Sequence, residues 1–220
     1  MVDRPKKPSA LLSTPTLPPQ PQVSITHSQS RVSAVLPTGE SVEVLLYGAT
    51  IISWRSASGA EKLFLSSSAA LDGSKPVRGG IPLVFPVFGK DADKKEVSTL
   101  PQHGFARTSR WEFLGKSTSE GESAGKGKEG DGSVKLDFGL SAGNLDESTR
   151  KLWPFKFGLI YSVTLSKEGL TTSMVVRNEG TEVWDFQVLM HSYLRVQVRL
   201  SVPFSLLFFT STFTKQEYTN

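Results

Sequence analysis

The longest unbroken alternation in the chain is Phe155, Phe157, Leu159, Tyr161, Val163 and Leu165, with every second residue apolar or aromatic. A period of two puts those side chains on one face of an extended backbone, so 155–165 is expected to form a half-buried strand. Lys167-Glu168-Gly169 then turns the chain, and Leu170, Thr172, Met174 and Val176 return it. Asn178-Glu179-Gly180 makes the next turn, and Val183 to Met190 is expected as the following strand. Nearer the N-terminus, 31–36 and 41–47 read as strands around the Pro37-Thr38-Gly39 turn, with Val42, Val44 and Leu46 on one face. Ala49 to Arg55 continues as a third strand after Gly48. Helical signal is confined to one turn within 145–152, stopped by Trp153-Pro154. Consecutive hairpins with so little helix predict an all-β chain, a sandwich of antiparallel sheets.

Residues 1–22 are rich in Pro, Ser and Lys, have little to bury, and are expected to be a disordered tail. Residues 115–133 are mostly Gly, Ser, Lys and Glu with no large aliphatic side chain, the composition of a flexible loop inserted between two strands. That leaves 23–196 as the folded domain and 197–220 as an atypical Phe/Ser/Leu-rich tail. Of the 220 residues, 38% are hydrophobic and 21% charged, as in ordinary globular proteins. The absence of cysteine excludes disulfides and thiolate chemistry. The net charge of +4 is spread among acids, as in Asp91-Ala92-Asp93-Lys94-Lys95-Glu96, which reads as a solvated surface rather than a nucleic-acid stripe. Val196 to Phe213 is interrupted by Arg199 and Pro203 and falls short of the ~20 apolar residues of a membrane span. With no apolar signal core near Leu11-Leu12, a cytoplasmic protein with neither membrane nor nucleic-acid partner is expected.

Candidate chemistry lies on loops. Arg78 precedes Gly79-Gly80, and Arg107 follows Gly104-Phe105-Ala106. A guanidinium offers a planar fork of donors that matches two phosphate oxygens, so two of them can hold a dianion, or each can sit in a surface ion pair. His103, between Gln102 and Gly104, either donates to a sugar hydroxyl or caps loop carbonyls. His191 ends the Val183–Met190 segment, where an imidazole can serve as a general acid or as a satisfied structural group. No P-loop, dinucleotide fingerprint, His-x-x-x-His pair or nucleophile elbow is present. No metal or other cofactor is expected.

Four segments together resemble the glucose-6-phosphate 1-epimerase branch of the aldose 1-epimerase (galactose mutarotase-like) superfamily. They are Arg78–Phe88, Gln102-His103-Gly104-Phe105-Ala106-Arg107, Leu152-Trp153-Pro154-Phe155, and His191-Ser192-Tyr193-Leu194-Arg195-Val196. The resemblance implies an antiparallel β-supersandwich that interconverts the α and β anomers of hexose 6-phosphates without metal or cofactor, as a monomer. It implies His191 as the catalytic histidine, Arg78, Gln102 and Arg107 as substrate-binding residues, and His103 as a histidine beside the substrate. In the family, a substrate-binding aspartate and a glutamate base follow on later strands. Here the chain beyond Val196 matches nothing expected, and the late acid Glu217 stands in an unrelated context. The supersandwich is therefore expected to be incomplete at the C-terminus. A sugar-phosphate-binding protein without turnover, or an inactive fragment, is the alternative.

Overall fold

The computed structural model describes residues 19–118 and 132–196. The expected tail over 1–18, the loop residues 119–131 and the segment 197–220, with Glu217, lie outside the described residues. Strands β1 (Gln22–Thr26), β2 (Arg31–Val35), β3 (Ser41–Leu45) and β4 (Thr50–Arg55) form one antiparallel sheet in that order. Strands β6 (Glu112–Thr118), β7 (Val134–Ser141), β8 (Phe157–Ser166) and β9 (Gly169–Asn178) form a second, also in chain order. Between β4 and β6 lies the two-residue β5 (Leu83–Val84), which pairs with β10 (Leu189–Met190) from the far end of the described chain. The single α-helix among the described residues, α1 (Glu147–Leu152), ends at Trp153-Pro154 as expected.

The alternation that marked β8 is an alternation of burial: Phe157, Leu159, Tyr161, Val163 and Leu165 are all buried. β7 supplies Val134, Leu136, Phe138 and Leu140, set beside them by the register Leu136↔Val163 and Phe138↔Tyr161. Val32 and Ala34 of β2 and Val42 and Val44 of β3 join the same hydrophobic cluster, so both sheets close on one core. Burying each such side chain contributes roughly 1.5–3 kcal/mol, which holds the layers together. The all-β antiparallel expectation therefore holds.

Three expectations need correction. Gly115–Thr118, expected in a flexible loop, belong to β6, paired with β7 through a register shift between Phe113 and Gly115. Ladder hydrogen bonds come from the main chain, so a stretch poor in aliphatic residues pairs as long as a neighbour offers an edge. Pro21 is buried and Gln22 already pairs in β1, so residues 21 and 22 belong to the folded part rather than to the expected tail. Most of Val183–Met190 is not strand, and only Leu189–Met190 enter a ladder. Their neighbours explain it. Gln187 and His191 donate to the carbonyls of Pro86 and Pro82, and neither proline has an N–H to return the bond.

Candidate active site

The site is built around one ribbon, residues 80–89. Gly80 starts it at φ +67°, and a Cβ there would stand 2.2 Å from the Ile51 carbonyl oxygen. Only glycine fits that approach, which lets Ile81 N–H donate to the same carbonyl at 2.9 Å and anchor the ribbon to β4. Successive carbonyls of an extended chain point to opposite edges, so the ribbon recruits a different segment on each side. On one edge the Phe85 carbonyl accepts from Phe105 N–H at 3.0 Å and Ala106 N–H at 3.3 Å. Gly104 (φ +70°) makes this possible, since a Cβ there would lie 2.1 Å from the Phe85 oxygen. On the other edge Pro86, Pro82 and Gly80 carbonyls accept from Gln187, His191 and Tyr193 N–H at 2.8, 2.9 and 2.9 Å.

This arrangement brings together two histidines that are far apart in sequence. The rings of His103 and His191 are 5.9 Å apart at 66°. The ring of His103 lies 5.0 Å from that of Phe88, while His191 stacks on Tyr193 at 5.0 Å and 26°. His103 has φ +68°, a left-handed conformation uncommon outside glycine. Its N–H donates to the Gly89 carbonyl at 2.8 Å, and Gly89 N–H donates to its Nδ1 at 3.0 Å. The ring thus accepts from an amide rather than capping a carbonyl. Burial, the Arg107 charge and His191 hold its pKa below the usual histidine value.

Arg107 sits in the 3-10 turn Ala106–Thr108, and its Nη2 donates to the Gln102 carbonyl at 2.7 Å. Its Nε is buried and has no hydrogen-bond partner among the described residues. Burial lowers the Arg107 pKa and the nearby Tyr193 opposes that shift. Gln102 meets the group through its main chain, with its side chain exposed. Arg78 is exposed at the ribbon's entrance, where its carbonyl accepts from Ser66 N–H. Its guanidinium pairs with no described residue. His103, His191, Arg107 and the Gln102 backbone therefore converge, whereas Arg78 is tied to them only through the ribbon. Tyr193 and Phe88 went unassigned in the sequence reading. The spacing of two from His191, and the position beside Gly89, were the signals that could have found them.

Two partly exposed imidazoles beside a guanidinium can hold an oxygen-rich anion and move a proton on it. Among the described residues no three His, Asp or Glu side chains stand close enough to hold a metal ion. No described helix is long and apolar enough to cross a membrane.

The sequence profile of the family described as aldose 1-epimerase matches residues 31–205. The chain belongs to the aldose 1-epimerase family. A protein of Cenchrus ciliaris named "Putative glucose-6-phosphate 1-epimerase" is 29% identical over 184 residues, covering 81% of this chain and 51% of that protein. One of the same name from Salmonella typhimurium is 33% identical over 151 residues, covering 69% of this chain and 44% of its own length. Among solved structures, a "putative mutarotase" from Salmonella typhimurium superposes with a TM-score of 0.53 at 26% identity, over 76% of this chain and 50% of that one. The Slr1438 protein of Synechocystis gives 0.51 at 25%, over 77% and 53%. The chain thus spans about half the length of the relatives it matches.

Proposed function

We propose that this aldose 1-epimerase family member acts on the anomeric carbon of a hexose 6-phosphate, with Arg107 and Arg78 holding the phosphate and His191 donating a proton to the ring oxygen. The observation that carries the reading is the convergence of His103, His191 and Arg107 on the 80–89 ribbon, with the two rings 5.9 Å apart. Mutarotation needs little more. Protonation of the ring oxygen and removal of the C1 hydroxyl proton break the C1–O5 bond and leave the open aldehyde. Rotation about C1–C2 and the reverse proton transfers close the other anomer. A well-placed acid supplies ~10²–10⁴-fold, and a clamped phosphate holds the sugar while the ring opens.

One observation favours a second reading, sugar-phosphate binding without turnover. No Asp or Glu among the described residues hydrogen-bonds or ion-pairs with either histidine, so the described site offers no carboxylate base. Saturation-transfer NMR on glucose 6-phosphate separates the two. Exchange between anomers above the buffer rate, lost in His191→Ala, supports the mutarotase reading. Binding with exchange at the buffer rate supports the second.

A further inference from the structure

Two histidines in one site raise the question of which carries the mobile proton. Gly89 and His103 close a small ring with each other: His103 N–H donates to the Gly89 carbonyl, and Gly89 N–H donates back to His103 Nδ1. A main-chain N–H can only donate, so Nδ1 must present its lone pair, and the ring proton is left on Nε2. The left-handed backbone of His103, at φ +68°, is what aims its ring back at the loop that supplies the amide. The Phe88 ring packs beside it, 5.0 Å away. Among the described residues the His191 ring has no such hydrogen bond: its main-chain N–H is committed to Pro82, and its ring lies against those of Tyr193 and His103.

We propose that the Gly89 amide is a positioning group that locks His103 as the neutral Nε2–H tautomer. His103 is then a fixed hydrogen-bond donor to a sugar oxygen, and the proton transfer is left to His191. The donor's target rests on the hexose-phosphate reading above, whereas the tautomer does not. An imidazolium at His103 would carry a proton on Nδ1, which would collide with the Gly89 N–H and break that hydrogen bond. Burial, Arg107 and His191 all disfavour that form.

The test is nitrogen-15 NMR of the full chain with labelled histidine, near pH 7, without and with glucose 6-phosphate. The expected spectrum shows an unprotonated Nδ1 and a protonated Nε2 for His103, with the Gly89 amide protected from exchange. A protonated Nδ1, or averaging between tautomers, would overturn the lock. Two variants divide the roles. His103→Asn tolerates the left-handed backbone and can still accept from Gly89 through Oδ1, so amide protection should persist. The same variant should bind glucose 6-phosphate about two- to tenfold more weakly, the loss of one neutral hydrogen bond. His103→Gln keeps an Nε2–H donor but should lose the Gly89 protection. Protection unchanged in His103→Gln would show that the ring does not hold the amide. Failure of glucose 6-phosphate to bind the unaltered chain would sink the ligand reading while the tautomer spectrum still decides the lock.

Discussion

At the scale of single residues, His103 couples the site to stability. Unfolded, its imidazole titrates near ~6.5; folded, it titrates lower because burial, Arg107 and His191 disfavour the cation. Below the unfolded value the unfolded chain binds more protons than the folded one, so stability falls as pH drops through that window. Above it the contribution is fully present. Urea unfolding midpoints should therefore fall between about pH 7.5 and pH 5.5, a range set by the ordinary histidine value, and fall less in His103→Asn. An equal fall in both proteins would remove His103 as the cause. Arg107 provides the complementary test. In the proposed phosphate clamp its loss removes charge-assisted bonds of ~1.5–3 kcal/mol, so Arg107→Ala should weaken glucose 6-phosphate roughly 10- to 150-fold and glucose far less. Equal weakening of both ligands in a calorimetric titration would contradict the phosphate clamp. The residue types of this site were legible in the sequence as Arg and His flanked by glycine. Their convergence was not, because it depends on main-chain bonds to prolines and glycines whose partners lie far along the chain.

At the scale of elements, Phe85 joins the ribbon to the core. Its ring meets Phe105, Trp153, Phe157, Trp184 and Phe186 at centroid distances between 5.7 and 6.3 Å. Phe85→Ala should cost about 3–5 kcal/mol, as expected for an emptied aromatic site. Asp146 offers the contrast. It caps α1 by accepting from Thr149 N–H, and its hydrogen bonds from Ser148 and Thr149 hold its pKa down at about 2. Asp146→Ala should cost about 1 kcal/mol, with the site unaffected. Guanidinium unfolding of the two variants checks the ranking, and a larger loss for Asp146→Ala would reverse it. The hub also explains which elements were legible. Strand β8 announced itself because strict alternation and ladder pairing coincide there. The alternation of Trp184, Phe186, Val188 and Met190 looked the same in the sequence but reports packing: Trp184 and Phe186 lie against Phe85, while the prolines opposite deny them a full ladder.

At the scale of the molecule, the segment that carries His191 also holds the two most exposed large apolar side chains among the described residues. Val183 is 93% and Val196 76% exposed, and Phe186 and Leu194 are close to half exposed. Exposed apolar side chains, where they adjoin on a surface, promote association. Light scattering of the chain should rise with concentration, and Val183→Lys with Val196→Lys should suppress the rise; scattering unchanged by both would place the sticky surface elsewhere. The family was legible from four short motifs, two of which hold glycines that a close backbone approach requires, Gly80 and Gly104. The proposed function requires one hexose-phosphate site between His103, His191 and Arg107. Its most direct test is a titration of the histidine-labelled chain with glucose 6-phosphate, followed by NMR. Both imidazoles should shift with a single dissociation constant, and Arg107→Ala should weaken the two responses together. Movement of one ring without the other, or an equal response to glucose, would contradict it.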